Sequence, residues 1–330
     1  MKWKYLFIMV FLCVACSDSS DTEDLSYDKY QVDILFSTSG LGDSGYNDAI
    51  LYGIQQASKK YGFKLNFHQP KSVEAGWRCY QEWQNETDDG AQRLFIFASS
   101  DYEETLREHI PSKRDNDEVL FFESERPIEH VASFRLNMYG ASYYIGKLAG
   151  RVVPSAASLM ANPQDALITE SEKGFKAGFT SENDNHYGVY YLSDSRNEGY
   201  NLPDSAYRVS FEMFQDYAFV WPLAGGSNQG VFRYSREYPR SIFTAGVDSD
   251  MSMFSNCIIC SLVKRIDLVL EDYLLYWIKG ESMPEFSVYG LDTDYVQVML
   301  SDNYQESLSE LTYGLEEEAI EKEKQYEENR

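Results

Sequence analysis

The chain is predicted to be an α/β protein of two doubly wound parallel-sheet lobes joined by a hinge. Three observations point to that class. Short apolar runs alternate with amphipathic segments along most of the chain, the layout of repeated strand–helix units. The pattern restarts near residue 133, where a strand end runs into a helix rich in small residues. With 330 residues, 43% of them hydrophobic, the chain is long enough to bury two separate cores.

Apolar runs at 32–36, 63–67, 94–98 and 119–122 predict parallel strands, with helices near 48–61, 73–88 and 102–110 between them. The first helix carries its own start and stop. Asn47 or Asp48 can cap its free N–H groups, Ile50, Leu51, Ile54 and Ala57 share one apolar face, and Gly62 can end it. The segment FRLNMYGASYYIGKLAGRV gives a strand end and then a helix packing through Gly140, Ala141, Gly146, Ala149 and Gly150. A second set follows, with strands near 157–161, 187–192, 217–221 and 241–247 and helices at 164–179, 204–214 and 228–237. An apolar strand at 257–263 and a helix at 265–279 come next. The tail LEEEAIEKEKQYEENR reads as a charged, solvated terminal helix without a site. The expected domains are a leader over 1–15, a tether over 16–30, a first lobe of 31–136 plus 255–283, and a second of 137–254 plus 284–330.

MKWKYLFIMVFLCVA places Lys2 and Lys4 before a short apolar run, a secretory signal too short to span a membrane. Leu12-Cys13-Val14-Ala15-Cys16 resembles a bacterial lipobox, so Cys16 is the expected lipidation site and 17–30 a polar, acidic tether. The predicted location is the cell envelope, lipid-anchored at the periplasmic face or the cell surface; the alternative is an ordinary secreted protein. A formal net charge of -24 makes nucleic acid a poor partner. After Cys16 only Cys79, Cys257 and Cys260 remain. Cys257-Ile-Ile-Cys260 has zinc-knuckle spacing but no second such pair and apolar residues between, so a half-buried strand or a local redox pair is expected and no metal.

Gly40-Leu41-Gly42-Asp43-Ser44-Gly45 is a literal G-x-G-x-x-G, yet it does not predict a dinucleotide site. Asp43 would put a carboxylate in the anion cradle, and no acid between Asp48 and Glu74 is available to hold a ribose. No cofactor is expected. Open parallel sheets bind ligands at the carboxyl ends of their strands, so the loops there carry the candidates. After the first strand, Asp43, Tyr46, Asn47 and Asp48 offer an aromatic face beside amide and carboxylate edges, suited to a flat heterocycle; the same residues also serve as helix caps and a core lid. Gly225 and Gly226 allow close backbone approach or a tight turn. Asp248 and Asp250 end a strand, where they can accept from sugar hydroxyls or cap a turn. Lys264 lies at the expected crossing between lobes, placed to pair with a carboxylate, to donate to a ligand or to sit on the surface.

Six segments, GLGDSGYNDAILYGIQQASKKYG, FRLNMYGASYYIGKLAG, GFKAGF, WPLAGGSNQG, TAGVDSD and CSLVKRIDLVLEDYLLYWIKG, resemble in order and spacing the basic membrane protein family. That resemblance, over about 31–280, implies the type I periplasmic-binding-protein fold and a lipoprotein that captures purine nucleosides for an ABC importer. It implies that Tyr46 stands where the family stacks a Phe on the base, with Asp43, Asn47 and Asp48 matching the family's acid and Asn-Asp pair. Gly225 and Gly226 match its glycine turn, Asp248 its ribose acid, and Lys264 its lysine. Two positions depart: Glu123 replaces the family's Asp, and the second stacking aromatic falls in a segment without a clean match, where Tyr200 is the candidate. The expected protein is therefore a monomeric solute-binding protein with a nucleoside-like ligand and an ABC permease as partner, and not an enzyme. The alternatives are a surface sensor or interaction lipoprotein with a diverged ligand, and a nucleoside hydrolase. Hydrolysis finds little support, because His68, His109, His130 and His186 form no group with metal or nucleophile spacing.

Overall fold

The computed structural model describes residues 29–109, 114–182 and 185–330. Cys16 and the signal lie outside the described residues.

The two predicted lobes are present, each built on a six-stranded sheet. The first sheet contains β1 (Tyr30–Leu35), β2 (Lys64–His68), β3 (Gln92–Phe97), β4 (Asp117–Phe122), β5 (Ala132–Leu136) and β11 (Phe286–Tyr289), in the order β11-β5-β4-β3-β1-β2. The second contains β6 (Ser155–Met160), β7 (His186–Tyr191), β8 (Phe219–Leu223), β9 (Phe243–Asp248), β10 (Ile258–Lys264) and β12 (Val296–Leu300), in the order β12-β10-β9-β8-β6-β7. All pairings are parallel except β10 with β12, an antiparallel edge. Leu94, Phe95, Ile96 and Phe97 of β3 are all fully buried, which is why parallel strands covered on both faces read as unbroken apolar runs.

In the second lobe, α4 (Tyr139–Val152) lies close against α5 (Ala166–Glu182). The small residues predicted to mediate packing explain the approach. A β-carbon on Gly146 would fall 2.0 Å from the Phe175 carbonyl oxygen, and one on Gly178 would fall 2.1 Å from that of Tyr143.

The chain crosses between lobes three times: after β5 into α4, after β10 into α8 (Ile266–Ile278), and from β11 to β12. This differs from the expected division, in which 255–283 belonged to the first lobe and 284–330 to the second. Only α8 of the former segment packs there, against α1 (Tyr46–Tyr61), while β10 pairs with β9 in the second sheet and β11 extends the first. An apolar run marks a strand, but its pairing partners decide which sheet it joins. β11 and β12, partly exposed edge strands, carry too weak a pattern to have been read from the sequence.

The terminal helix α10 (Leu315–Glu328) is also less solvated than its charge predicts. Leu315, Ala319 and Glu323 are buried, Glu318 pairs with Lys147, and Glu327 pairs with Arg135. The Glu323 carboxylate accepts the N–H groups of Gly140 at 2.8 Å and Leu291 at 2.9 Å, joining two of the three crossings to this helix. Cys257 and Cys260 are free buried thiols, the strand alternative of the sequence reading. Among the described residues, no helix is long and apolar enough to cross a membrane.

Candidate ligand-binding cleft

A cavity of about 120 Å³ lies between the lobes, at the carboxyl ends of both sets of strands. The lobes touch around it. A β-carbon on Gly226 would sit 3.5 Å from Asp43 Cα, one on Gly45 would sit 3.5 Å from Asp248 Oδ2, and Arg196 reaches Glu104 at 3.5 Å across the exposed rim.

The loop after β1 is shaped by two carboxylates. Asp43 accepts from the backbone N–H groups of Gly45 (2.9 Å), Asn47 (2.9 Å) and Asp48 (3.2 Å), and from the Asn47 amide at 2.9 Å. It thereby satisfies donors in the first turn of α1 that have no partner within the helix. Burial raises the pKa of Asp43 against the lowering effect of the N–H bonds, and Asp248 across the cleft raises it further. Asp48 instead accepts from Gly42 and Ser44, each at 2.8 Å, and ties the loop from its outer side.

At the centre of the cleft, Lys264 Nζ lies 3.2 Å from Asp248, 3.4 Å from Glu123 and 5.0 Å from the centroid of the Tyr46 ring. The lysine ends β10 of the second lobe, whereas Glu123 follows β4 of the first, so the ion pair spans the lobes. Burial disfavours the ammonium, but the two carboxylates more than offset this and raise its pKa well above the ordinary lysine value. Glu123 and Asp248 both sit in left-handed backbone, with φ of 60° and 72°. Non-glycine residues held there store strain, which clusters at functional sites. Glu123 also accepts the Leu136 N–H at 3.1 Å.

Two buried polar atoms in the cleft, Tyr46 Oη and Asn47 Oδ1, lack a hydrogen-bond partner, and a third, Glu123 Oε1, has only its 3.4 Å ion pair with Lys264. Burial, followed by the charge of Glu123, pushes the Tyr46 hydroxyl well above its ordinary pKa, so it remains a neutral donor. On the opposite wall, the Tyr200 hydroxyl donates to Asp165, and burial and that neighbour likewise keep it neutral. Tyr200 rests against Gly225, where a β-carbon would lie 3.3 Å from its ring.

Eight of the sequence candidates line this one cavity: Asp43, Tyr46, Asn47, Glu123, Tyr200, Gly225, Asp248 and Lys264. Asp48 and Gly226 do not. Asp48 clamps its own loop, and Gly226 fits between the Tyr200 carbonyl oxygen and Asp43 as part of the lobe contact. Sequence reasoning missed Asp101 and Asp165. Asp101 accepts the Thr38 N–H and hydroxyl, both at 2.9 Å, and burial raises its pKa. Asp165 accepts the Leu167 N–H at 2.8 Å at the start of α5. The signal was available, since Asp101 and Asp165 lie in the loops that begin at Ala98 after β3 and at Ala161 after β6, where the strand-end rule directs attention. The described residues contain no cluster able to hold a metal ion.

A family model described as ABC transporter substrate-binding protein PnrA-like matches residues 31–330. Among solved structures, an ABC transporter solute-binding protein from Aeropyrum pernix K1 superposes with a TM-score of 0.72 at 16% identity, covering 90% of this chain and 86% of that one. A sugar transporter from Clostridium phytofermentans gives 0.62 at 19% identity, covering 83% and 100%. A transcriptional activator of the comK gene from Bacillus halodurans gives 0.66 at 16%, covering 86% and 94%. At such identities the likeness is one of fold, shared by proteins of differing function. No match was found among curated protein sequences.

Proposed function

The chain belongs to the Bmp family of ABC transporter substrate-binding proteins, and from that premise we propose that it captures a purine nucleoside between its lobes for a permease, held at the membrane by a lipid on Cys16. The observation that carries this reading is the pair of unpartnered buried polar atoms, Tyr46 Oη and Asn47 Oδ1, at an aromatic plate in an interlobe cavity. Leaving such groups unsatisfied costs about 1–3 kcal/mol each, a cost that a ligand with matching groups removes. In this reading Tyr46 stacks on the base and Asp43 and Asn47 meet its edge. Tyr200 supports the base from the second lobe, and Gly225 allows close backbone approach. Asp248, Glu123 and Lys264 take the ribose hydroxyls. Hinge closure buries the ligand, and the closed shape is what a permease senses.

Thermal-shift and calorimetric titration of the mature chain with nucleosides, nucleobases and sugars tests the reading. A nucleoside bound only by the folded state raises the melting temperature. Tyr46→Ala is then expected to weaken binding by about tenfold or more, the loss of a stacking contact worth roughly 1–3 kcal/mol. A panel in which no nucleoside shifts the melt refutes the nucleoside assignment, and unchanged affinity in the variant removes Tyr46 from the site.

A further inference from the structure

The cavity wall carries five carboxylates, Asp43, Asp101, Glu123, Asp165 and Asp248, against a single ammonium, Lys264, already shared between two of them. The adjoining compartment adds Glu125 and Glu103, the latter paired with Arg107, and has Arg196 on its wall. Asp101 and Asp165 come from opposite lobes and repel each other across the cleft. Neither can swing away freely, because Asp101 is fixed by Thr38 and Asp165 by the Leu167 N–H and the Tyr200 hydroxyl.

The unpartnered atoms give independent evidence of what is missing. Asn47, 3% exposed, lines the cavity with an Oδ1 that has no hydrogen-bond partner, and Glu123, 2% exposed, holds its Oε1 3.4 Å from Lys264 Nζ. Asn47 directs its amide nitrogen to Asp43, and the atom left without a partner is its acceptor Oδ1. Glu123 Oε1 is an acceptor as well. The Asn47 oxygen therefore asks for a donor on the ligand and the Tyr46 hydroxyl offers one to it, a pair of demands that hydroxyl groups meet, in a cavity whose charge is negative.

We propose, on the premise that the cleft takes a nucleoside-like ligand, that Asp101 and Asp165 set its charge specificity: the cleft admits a neutral or cationic, donor-rich compound with free hydroxyls and rejects phosphorylated ones. A phosphate dianion placed among these carboxylates meets like charge from both lobes, where limited solvent screens it weakly.

The test is calorimetry of the mature chain with guanosine and adenosine, their 5′-monophosphates, simple amines, and ribose with its 5-phosphate. Each monophosphate is expected to bind about 100-fold or more weakly than its nucleoside, the scale of one like-charge contact in a partly desolvated site. In the double variant Asp101→Asn, Asp165→Asn that ratio is expected to fall by about tenfold or more. Residues with only a structural role would weaken both ligands alike and leave the ratio unchanged, and that result overturns the assignment to these two residues. Equal binding of nucleoside and monophosphate overturns the charge rule, as does binding of phosphorylated compounds alone. Binding of ribose or an amine without any nucleoside refutes the nucleoside reading and upholds the charge rule.

Discussion

Glu323 makes the stability of this protein depend on pH in a way the structure allows to be calculated. The side chain is 5% exposed and sits at two lobe crossings, between the N–H groups of Gly140 and Leu291. Space is so limited there that a β-carbon on Gly290 would lie 1.9 Å from its carboxylate. Burial pushes the carboxyl from 4.5 up to about 7, opposed by the two N–H bonds and reinforced by the nearby charges of Asp292 and Glu170. The folded chain therefore binds this proton more tightly than the unfolded chain. The resulting stability is fully present below pH 4.5 and is lost as pH rises through 7. At about 1.4 kcal/mol per pH unit the whole effect is about 3 kcal/mol, most of it falling between pH 5 and 8. Glu323→Gln removes the titration and also sets an amide N–H₂ against one of the two backbone donors, a cost that does not vary with pH. The measurement is therefore the difference between wild-type and variant stability, read by urea unfolding at pH 5, 6, 7 and 8. The wild type is expected to lose about 2–3 kcal/mol relative to the variant over that range. Parallel stability curves would refute the reasoning, because every other titrating group is common to both chains.

Two further substitutions test the packing and the charge bridge. Gly178→Ala would place a methyl 2.1 Å from the Tyr143 carbonyl oxygen and 2.8 Å from Lys147 N, backbone atoms of α4 that cannot rotate away. Overpacking of this kind costs about 1–3 kcal/mol, so the melting temperature should drop by several degrees, and an unchanged melt would contradict the helix seam. Lys264→Met leaves Glu123 and Asp248 facing the cleft without their cation, a loss of about 3–5 kcal/mol when one partner of a buried ion pair is removed. Parting the lobes relieves it, so solution scattering should report a larger radius of gyration than for wild type; equal radii would show that the bridge does not hold the lobes together.

The strands at 94–98 and 119–122 were legible because a strand covered on both faces must be apolar throughout, a demand written into consecutive residues, and 32–36 follows it except at Asp33, a buried acid bonded to Asn66 and His68 of β2. The α4 seam was legible for a similar reason, since Gly146 and Gly150, four residues apart, share the helix face that meets α5 at Phe175 and Phe179. The cleft loops were found because strand ends can be counted along the chain, and eight of the marked residues do converge there. Asp43 and Asp48 illustrate where local reading stops. Both are acids in one short loop, and only its folded path turns Asp43 toward the cavity and Asp48 toward the Gly42 and Ser44 N–H groups. Sheet membership of β10 and β11, the burial of Glu323 within an acidic tail, and the meeting of Asp101 with Asp165 belong to the same class. Periodicity and capping depend on neighbours a few residues away. Strand pairing and the environment of a charge depend on groups that arrive from distant segments, as when Lys264 closes on Glu123 from the other lobe.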